Sequence, residues 1–253
     1  MKNLIDFTGR HMLVIGASSG IGQSTAVTLS KLGAHVDVMA RNIEGLQDTL
    51  ALMEGSDHAY YQLNVTDFDS IGEVLGKAVA EHGKYDGMVY AAGVALNTPL
   101  TQMTPHKMQW VFNTNLFGFV EAVRQISKRG RFNPGMRIVG VSSVASIRGD
   151  ISQTAYSASK AGMDGAVRSM AGELAKKEIC INTVAPSMIN TRMYQDYLKD
   201  YGTDSFRYEV MMNRQALGIG EPQDVANAIA FLLSPAARMI TATCMPVDGG
   251  YRA

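Results

Sequence analysis

The stretch HMLVIGASSGIG, residues 11–22, joins an apolar run to three closely spaced glycines, Gly16, Gly20 and Gly22. The apolar run predicts a buried strand, and the residues after it predict a helix. Glycines at such a junction allow a tight turn and let backbone N–H groups approach a pyrophosphate at the helix N-terminus. A turn needed only for close packing is the alternative. The position between the first strand and the first helix favours the pyrophosphate.

Outward from this stretch, strand-like apolar runs alternate with helical patterns along the whole chain. The predicted strands are His11–Ala17, His35–Ala40, Ala59–Val65, Tyr85–Ala91, Met136–Ser142, Ile179–Ala185 and Thr241–Val247. The predicted helices are Gly22–Leu32, Glu44–Met53, Ser70–His82, Pro105–Lys128, Ala155–Lys177 and Pro222–Leu233, with Asn42 and Asp67 as caps. This alternation predicts an α/β, doubly wound parallel sheet of about seven strands with helices on both faces. We expect one domain over residues 1–253, because no linker or repeat interrupts the rhythm.

The composition excludes several classes of protein. The chain has 253 residues, and 23 basic residues balance 23 acidic ones, so there is no basic field for nucleic acid. Cys180 and Cys244 lie far apart, so we expect two buried thiols in a reducing compartment, with no disulfide and no metal site. Without a signal peptide or a long apolar run, the sequence predicts a cytoplasmic protein away from membranes.

One segment breaks the strand–helix rhythm. Residues 187–220 contain no clean strand and are rich in Met, Tyr, Asp and Arg. A long insertion at the carboxyl end of a strand is typical of a substrate lid. A pair of surface helices without a gating role is the alternative.

Tyr156 and Lys160 lie four residues apart at the start of a predicted helix. This spacing places both side chains on one face. We expect the lysine charge to lower the pKa of Tyr156, which is ~10 in a free tyrosine. The tyrosine would then exchange protons near neutral pH, as a general acid/base must. An exposed tyrosine with a solvated lysine is the alternative.

Two further polar groups fall near this pair. Ser143 ends the fifth predicted strand, where its hydroxyl can polarise a substrate carbonyl. Because side chains alternate along a strand, only one of Ser142 and Ser143 can face the site, and we favour Ser143. Asn115 lies in the long helix after the fourth strand. Its buried amide could fix a water or a helix kink near Lys160, or be structural only.

Together these residues resemble the short-chain dehydrogenase/reductase family over essentially the whole chain. Gly16-x3-Gly20-x-Gly22 is similar to the cofactor loop, and Asn115, Ser143, Tyr156 and Lys160 match the family's tetrad. Residues 90–93, YAAG, stand where the family often has NNAG, and residues 182–186, NTVAP, and 246–250, PVDGG, also match. The resemblance implies hydride transfer between a nicotinamide cofactor and a carbonyl. Tyr156 would donate the proton, Ser143 would stabilise the oxyanion, Lys160 would hold the ribose, and Asn115 would maintain a water-linked relay.

The resemblance also implies which residues contact the cofactor. They are Gly16, Ser18, Ser19, Gly20, Ile21, Gly22, Arg41, Asn64, Val65, Ala91, Gly93, Tyr156, Lys160, Pro186, Ile189 and Thr191. The tip of the second strand decides between the two nicotinamide cofactors, because an acidic residue there selects NAD. This chain has Ala40 followed by Arg41, so we expect NADP(H), with NAD(H) as the alternative. A solvated Arg41 without a ligand role is the other possibility.

The resemblance leaves the substrate open among ketones, sugars, steroids and carrier-bound 3-oxoacyl chains, and the similarity to 3-oxoacyl-[acyl-carrier-protein] reductases is fair. Basic residues at two helix ends could receive an acidic carrier, although cations complementing helix dipoles are the preferred reading. They are Lys128, Arg129, Arg131, Lys176 and Lys177. Arg148 and Arg192 could bind an acidic substrate or be solvated. A catalytically idle dinucleotide-binding sensor is the alternative function.

The helices predicted at Pro105–Lys128 and Ala155–Lys177 are apolar on more than one face. Gly162, Met163, Ala166, Val167 and Met170 cannot all point at one sheet. We therefore expect a homotetramer, or failing that a dimer, in which these helices pack against their copies.

Overall fold

The computed structural model describes residues 5–202 and 206–252 and contains a seven-stranded sheet in which every neighbouring pair of strands is parallel. The strand order is β3-β2-β1-β4-β5-β6-β7. The strands are β1 His11–Ile15, β2 His35–Ala40, β3 Ala59–Gln62, β4 Tyr85–Tyr90, β5 Phe132–Val141, β6 Cys180–Pro186 and β7 Cys244–Val247. The order reverses beside β1, which makes the sheet doubly wound and confirms the predicted fold class.

Helices connect the strands and cover both faces of the sheet. They are α1 Gly20–Lys31, α2 Ile43–Leu52, α3 Phe68–His82, α4 Pro105–Phe112, α5 Gly118–Ile126, α6 Thr154–Ala175, α7 Arg192–Tyr201, α8 Phe206–Arg214 and α9 Pro222–Leu233. Asp67 caps α3 by accepting the backbone N–H of Ser70 at 3.4 Å. Asn42 occupies the cap position of α2, but its side chain makes no capping hydrogen bond.

Each face of the sheet carries its own apolar core. On one face α3, α5 and α6 bury side chains such as Leu75, Phe119 and Met163 against the strands. On the other face α1 and α9 do the same with Leu29 and Ile229. The strands between these layers read as nearly continuous apolar runs because both of their faces are covered.

The structure corrects three details of the predicted elements. The single helix predicted at Pro105–Lys128 is divided into α4 and α5 by a π-helical turn at Asn113–Phe117. The third strand ends at Gln62, so Asn64 and Val65 lie in the loop beyond it. Cys180, at the start of β6, and Cys244, on the edge strand β7, are free thiols that are only half-buried. Among the described residues, no helix is long and apolar enough to cross a membrane.

Candidate active site

A cavity of about 1050 Å³ opens at the carboxyl ends of the central strands. Residues that follow β1, β4, β5 and β6 line it, as expected for a ligand site in a doubly wound sheet. All the residues predicted to contact the cofactor line this cavity, and so do Ser143, Tyr156 and Lys160. Asn115 alone of the predicted site residues does not line it. The sequence therefore predicted residues that the fold brings together from distant parts of the chain.

The glycine loop between β1 and α1 leaves no room for side chains at two positions. Gly16 has φ +88°, and a Cβ there would clash with the backbone of Ala92. A Cβ on Gly22 would clash with the carbonyl of Gly16. Both clashes involve backbone atoms, which cannot move aside cheaply. The two glycines are therefore required for this close-packed turn, and the turn exposes the N-terminus of α1 to the cavity.

The N-terminus of α1 has no side-chain cap. Ser19 occupies the cap position in extended conformation without a capping hydrogen bond, and the first turn carries no acidic side chain. Thr49 holds the preceding loop from behind, because its hydroxyl donates to the carbonyl of Ala17 at 2.7 Å. Uncapped N–H groups and the positive end of the helix dipole form an anion site. This cradle fits a dinucleotide pyrophosphate.

The tip of β2 lines the same cavity and carries no acidic residue. Ala40 is buried, and the exposed Arg41 follows it. Within residues 5–202 and 206–252, no carboxylate forms an ion pair with the Arg41 guanidinium. In the next loop, Asn64 uses its side-chain oxygen to accept the hydroxyl of Thr66 at 2.9 Å. Only the amide NH₂ of Asn64 is therefore left for a ligand.

Tyr156 and Lys160 project from the first turns of α6 towards the cavity. The Lys160 ammonium lies 5.8 Å from the centre of the Tyr156 ring and donates to the Val141 carbonyl at 2.7 Å. Burial lowers the pKa of Lys160 to about 8, and the charge of Asp164 opposes this shift. Near neutral pH Lys160 is therefore a cation whose charge has lost most of its water.

The pKa of Tyr156 differs from the sequence-based expectation. Burial raises this pKa, and a hydrogen bond from Ser143 opposes the rise. Lys160 was expected to lower it, but the ammonium is directed at the Val141 carbonyl. Loss of hydration around the phenolate therefore outweighs the charge four residues away. In this structure Tyr156 is a protonated phenol at neutral pH, ready to donate.

Ser143 and Ser142 point to different partners. The Ser143 hydroxyl lies beside Tyr156 and lowers its pKa, and the Ser143 oxygen accepts the N–H of Ala145 at 3.1 Å in a short turn after β5. The hydroxyl of Ser142 instead faces the backbone carbonyl of Lys160, at 3.5 Å. Both serines line the cavity, but of the two only Ser143 acts on the pKa of Tyr156. This geometry supports the choice of Ser143 over Ser142.

Asn115 lies in the π-helical turn behind the cavity wall, where its side chain is fully buried. Its amide oxygen accepts the N–H of Val94 at 2.8 Å, and its NH₂ donates to the Val94 carbonyl and to the Ser159 hydroxyl. Ser159 in turn donates to the carbonyl of Tyr156 at 2.7 Å. Asn115 thus ties the loop after β4 to the first turn of α6. No direct bond joins Asn115 to Lys160; the two flank the space beside Gly93.

Some side chains of residues 187–220 line the cavity and were not singled out from the sequence. Met193 and Tyr194 reach it from α7, and Met211 reaches it from α8. Their segment is pinned at its base by Gln215, whose buried amide bonds to Ser187 and to both backbone groups of Met188. Only a three-dimensional structure pairs Gln215 with residues 27 and 28 positions earlier. Residues 203–205 of the predicted lid lie outside the described residues.

Comparisons with known proteins agree with this site. A family model described as enoyl-(acyl carrier protein) reductase matches residues 16–252. An L-xylulose reductase of Caenorhabditis elegans is 35% identical, with 97% of each chain covered. The 3-oxoacyl-[acyl-carrier-protein] reductase FabG of Escherichia coli K12 is also 35% identical, over 97% of this chain and 98% of that protein.

Solved structures of other proteins also match this chain over nearly its whole length. A dehydrogenase/reductase from Sinorhizobium meliloti superposes with a TM-score of 0.90 at 28% identity, covering 99% of this chain and 98% of that one. A variant of actinorhodin polyketide ketoreductase solved with NADPH has a TM-score of 0.86 at 30% identity, over 96% and 97% of the two chains.

Proposed function

Because the chain belongs to the short-chain dehydrogenase/reductase family, we propose that this oxidoreductase reduces a ketone or 3-oxoacyl carbonyl with NADPH. One observation carries the proposal. Ser143, Tyr156 and Lys160 meet in the cavity that the glycine loop also lines. The relatives named as L-xylulose and 3-oxoacyl reductases support a carbonyl substrate.

The cavity fits a dinucleotide, since the Gly16 turn and the uncapped N-terminus of α1 form a pyrophosphate cradle. When bound, the nicotinamide supplies the hydride. Tyr156 then gives its phenolic proton to the substrate oxygen, and Ser143 donates a hydrogen bond to the same oxygen as negative charge develops. The ammonium of Lys160 places a positive charge beside the ring of Tyr156, which becomes a phenolate when it gives up its proton. Asn115 is a positioning residue that acts through Ser159.

The cofactor preference depends on the tip of β2. An aspartate at position 40 would repel a 2′-phosphate, whereas Ala40 with the exposed Arg41 permits and attracts one. We expect the protein to prefer NADPH over NADH by at least ~10-fold in kcat/KM, since one phosphate contact worth ~1.4 kcal/mol suffices. Ala40→Asp should erase or reverse this preference. Arg41→Ala should weaken NADPH binding much more than NADH binding, as measured by fluorescence titration.

A control variant distinguishes the effect of the charge at Arg41 from the effect of a change in the net charge of the protein. Arg238 is exposed and does not line the cavity, so Arg238→Ala should leave the NADPH/NADH ratio unchanged. Equal efficiency with NADH and NADPH in the native protein would contradict the roles given to Ala40 and Arg41.

The basic residues at the ends of α5 and α6 lie far from the cavity. Tyr156 is near the start of α6, and a helix of 22 residues is about 33 Å long, so Lys176 lies at the opposite end. Arg131 donates to the carbonyl of Gln125 at 3.4 Å and Lys177 to that of Ser127 at 3.0 Å, both at the C-terminal end of α5, as cations at helix ends do. The patch is therefore badly placed to receive a substrate carrier at the cavity mouth.

Two arginines lie at the mouth itself. Arg148 and Arg192 both line the cavity and are exposed. They are the cations placed to meet an anionic part of the substrate or of its carrier. An acyl thioester on acyl carrier protein or coenzyme A is the substrate class that this placement supports, beside small ketones.

We keep the interpretation of residues 187–220 as a lid within a single domain. The bridge between Ile189 and Gly220 and the bonds of Gln215 fix both ends of the segment. Met193 and Tyr194 face the cavity from α7. Substrate closure would then move α7 and α8 about this fixed base.

We also propose a homotetramer, with a dimer as the smaller alternative. The π-turn and α4 pack beside α6 and leave Trp110 and Phe117 more than 40% exposed. On α6, Met163 and Val167 are buried against the sheet, whereas Gly162, Ala166 and Met170 are half-buried. Pairing these helices with their copies would bury the exposed rings. Light scattering should therefore give a multiple of the 27.3 kDa chain mass; a monomer at micromolar concentration would contradict this assembly.

A substrate screen tests the proposed function. NADPH oxidation should be followed with small ketones, ketoses, cyclic diketones, and 3-oxoacyl thioesters of coenzyme A and of acyl carrier protein. We expect turnover with at least one carbonyl class, and about 10³-fold less of it in the Tyr156→Phe protein. NADPH binding without turnover on the whole panel would instead favour the idle dinucleotide-binding sensor.

A further inference from the structure

A second group of polar side chains lies at the amino ends of the strands, at the edge of the sheet opposite the cavity. It consists of His11 at the start of β1, His35 and Asp37 on β2, and His82 at the end of α3. His11 and His35 pair across the two strands, and Asp37 follows His35 by two residues, so all three point to the same face. We call these four residues the histidine cluster.

The geometry of the histidine cluster is compact. Each member offers one ligand atom, and the four atoms lie within 4.8 Å of one another. Asp37 is at the centre, with its oxygens 3.0 Å from His11 Nε2, 3.1 Å from His82 Nδ1 and 3.4 Å from His35 Nε2. In a tetrahedral zinc site with bonds of ~2.0–2.1 Å, ligand atoms are about 3.3 Å apart. Asp37 Oδ1 lies at about that spacing from His82 Nδ1 and His35 Nε2, while His11 Nε2 faces the other oxygen, Oδ2.

Hydrogen bonding within the cluster leaves ring nitrogens unsatisfied. His35 Nε2 is buried near the carboxylate without hydrogen-bond geometry, and His11 Nδ1 is also buried without a partner among the described residues. Buried polar atoms normally find partners, so orphaned atoms in a polar cluster need an explanation. A cation between the rings would give His35 Nε2 the partner that the protein does not supply.

Charge and access also suit a cation. Asp37 supplies the carboxylate of the cluster, and it is completely buried among the three imidazoles and the hydroxyl of Tyr85. Tyr85 donates to Asp37 Oδ2 at 2.5 Å, the oxygen that also faces His11 Nε2, and so orients the carboxylate. The side chains of His35 and His82 are 25% and 28% exposed, which leaves a path from solvent.

We propose that His11, His35, His82 and Asp37 form a binding site for one divalent transition-metal ion, with Zn²⁺ as its natural occupant. Three imidazoles and one carboxylate are the donor set of such ions, and Mg²⁺ or Ca²⁺ would require mainly oxygen ligands. Four protein ligands complete a tetrahedron, which is typical of a structural site rather than a catalytic one. The metal would join β1, β2 and α3 at the edge of the sheet away from the cavity.

The expectation that the chain has no metal site rested on the spacing of its two cysteines alone. The four ligands span residues 11 to 82, and no motif of close spacing marks them. The pair His35 and Asp37, two apart on one predicted strand, was the signal that could have been used. The proposal does not depend on the proposed function, because the two sites lie at opposite edges of the sheet.

Metal binding can be measured on the intact protein, purified without a histidine tag. Chelator-treated protein should be titrated with ZnCl₂ and, separately, with CoCl₂. We expect one Zn²⁺ per chain, a rise in Tm of about 5 °C or more once zinc exceeds Kd by about 100-fold, and visible cobalt absorption typical of tetrahedral sites.

Variants locate the site. His35→Gln and the double variant His35→Gln/His82→Gln change partly exposed side chains, and both should lose the stoichiometric zinc, the rise in Tm and the cobalt spectrum. The exposed His106 on α4 provides a matched control, and His106→Gln should keep all three. Turnover with NADPH shows that the variants are folded. Absence of zinc binding in the native protein, or equal zinc binding in the double variant, would overturn the proposal, and the cobalt spectrum tests it even if a variant misfolds.

Discussion

Tyr156→Phe is expected to lower kcat by about 10³-fold while leaving the Kd for NADPH within a few-fold of the native value. General acid catalysis contributes about 10²–10⁴ to a rate, and the phenol that faces the cavity is the proton donor that we propose. The pKa of this phenol is raised by burial, so the native group is protonated and able to donate at neutral pH. Removing the oxygen deletes the donor but keeps the ring that packs in the site.

Steady-state kinetics and NADPH fluorescence titration measure the two quantities separately. Tyr60→Phe is the matched control, because Tyr60 lies exposed on β3 and does not line the cavity. The control should keep native kcat. A Tyr156→Phe protein that retained a tenth or more of native turnover would remove Tyr156 from the acid role. Loss of NADPH binding in that variant would point instead to damage of the cofactor site.

Lys160→Met is expected to abolish most turnover and, at the same time, to raise the stability of the protein at pH 7. Burying the ammonium lowers its pKa from 10.5 to about 8, a destabilisation of about 3 kcal/mol at neutral pH. Methionine has a similar length and no charge. It loses the hydrogen bond to the Val141 carbonyl, worth about 1–2 kcal/mol. The net gain of about 1–2 kcal/mol should raise Tm by about 2–6 °C.

The pH dependence distinguishes this explanation from a simple packing effect. Between about pH 8 and 10.5 the folded native protein holds fewer protons at Lys160 than the unfolded chain does. Stability therefore rises with pH through this window in the native protein, but not in Lys160→Met. The difference in Tm between the two proteins should be largest at pH 7 and should shrink towards pH 10.

Differential scanning fluorimetry at four or five pH values provides the measurement. Lys31→Met, at the exposed end of α1, is the control and should change neither Tm nor turnover appreciably. A Lys160→Met protein less stable than native at pH 7 would show that the bond to Val141 outweighs the burial of the charge. The comparison would also show how much stability the chain gives up to keep a charged lysine at this position.

The sequence predicted well those features that residues close together in the chain determine. The alternation of strands and helices is local, and it predicted the doubly wound sheet. The spacing of Tyr156 and Lys160 is also local, because residues four apart share a helix face whatever the helix packs against. Gly16 and Gly22 were recognised for the same reason, since the turn after β1 needs them wherever the sheet is placed.

Features that depend on packing between distant segments came only from the structure. From the sequence, a helix kink at Asn115 was one of three possibilities, because the π-helical turn there is stabilised by contacts with the distant residues Val94 and Ser159. The sequence predicted that the pKa of Tyr156 is lowered, and this was wrong because burial raises it. The charge four residues away follows from the spacing, whereas the burial of the ring does not. The histidine cluster was missed because β1, β2 and α3 meet only in the folded sheet. Spacing along the chain determined the fold and the reacting residues, and tertiary packing determined their hydration, their partners and the second site.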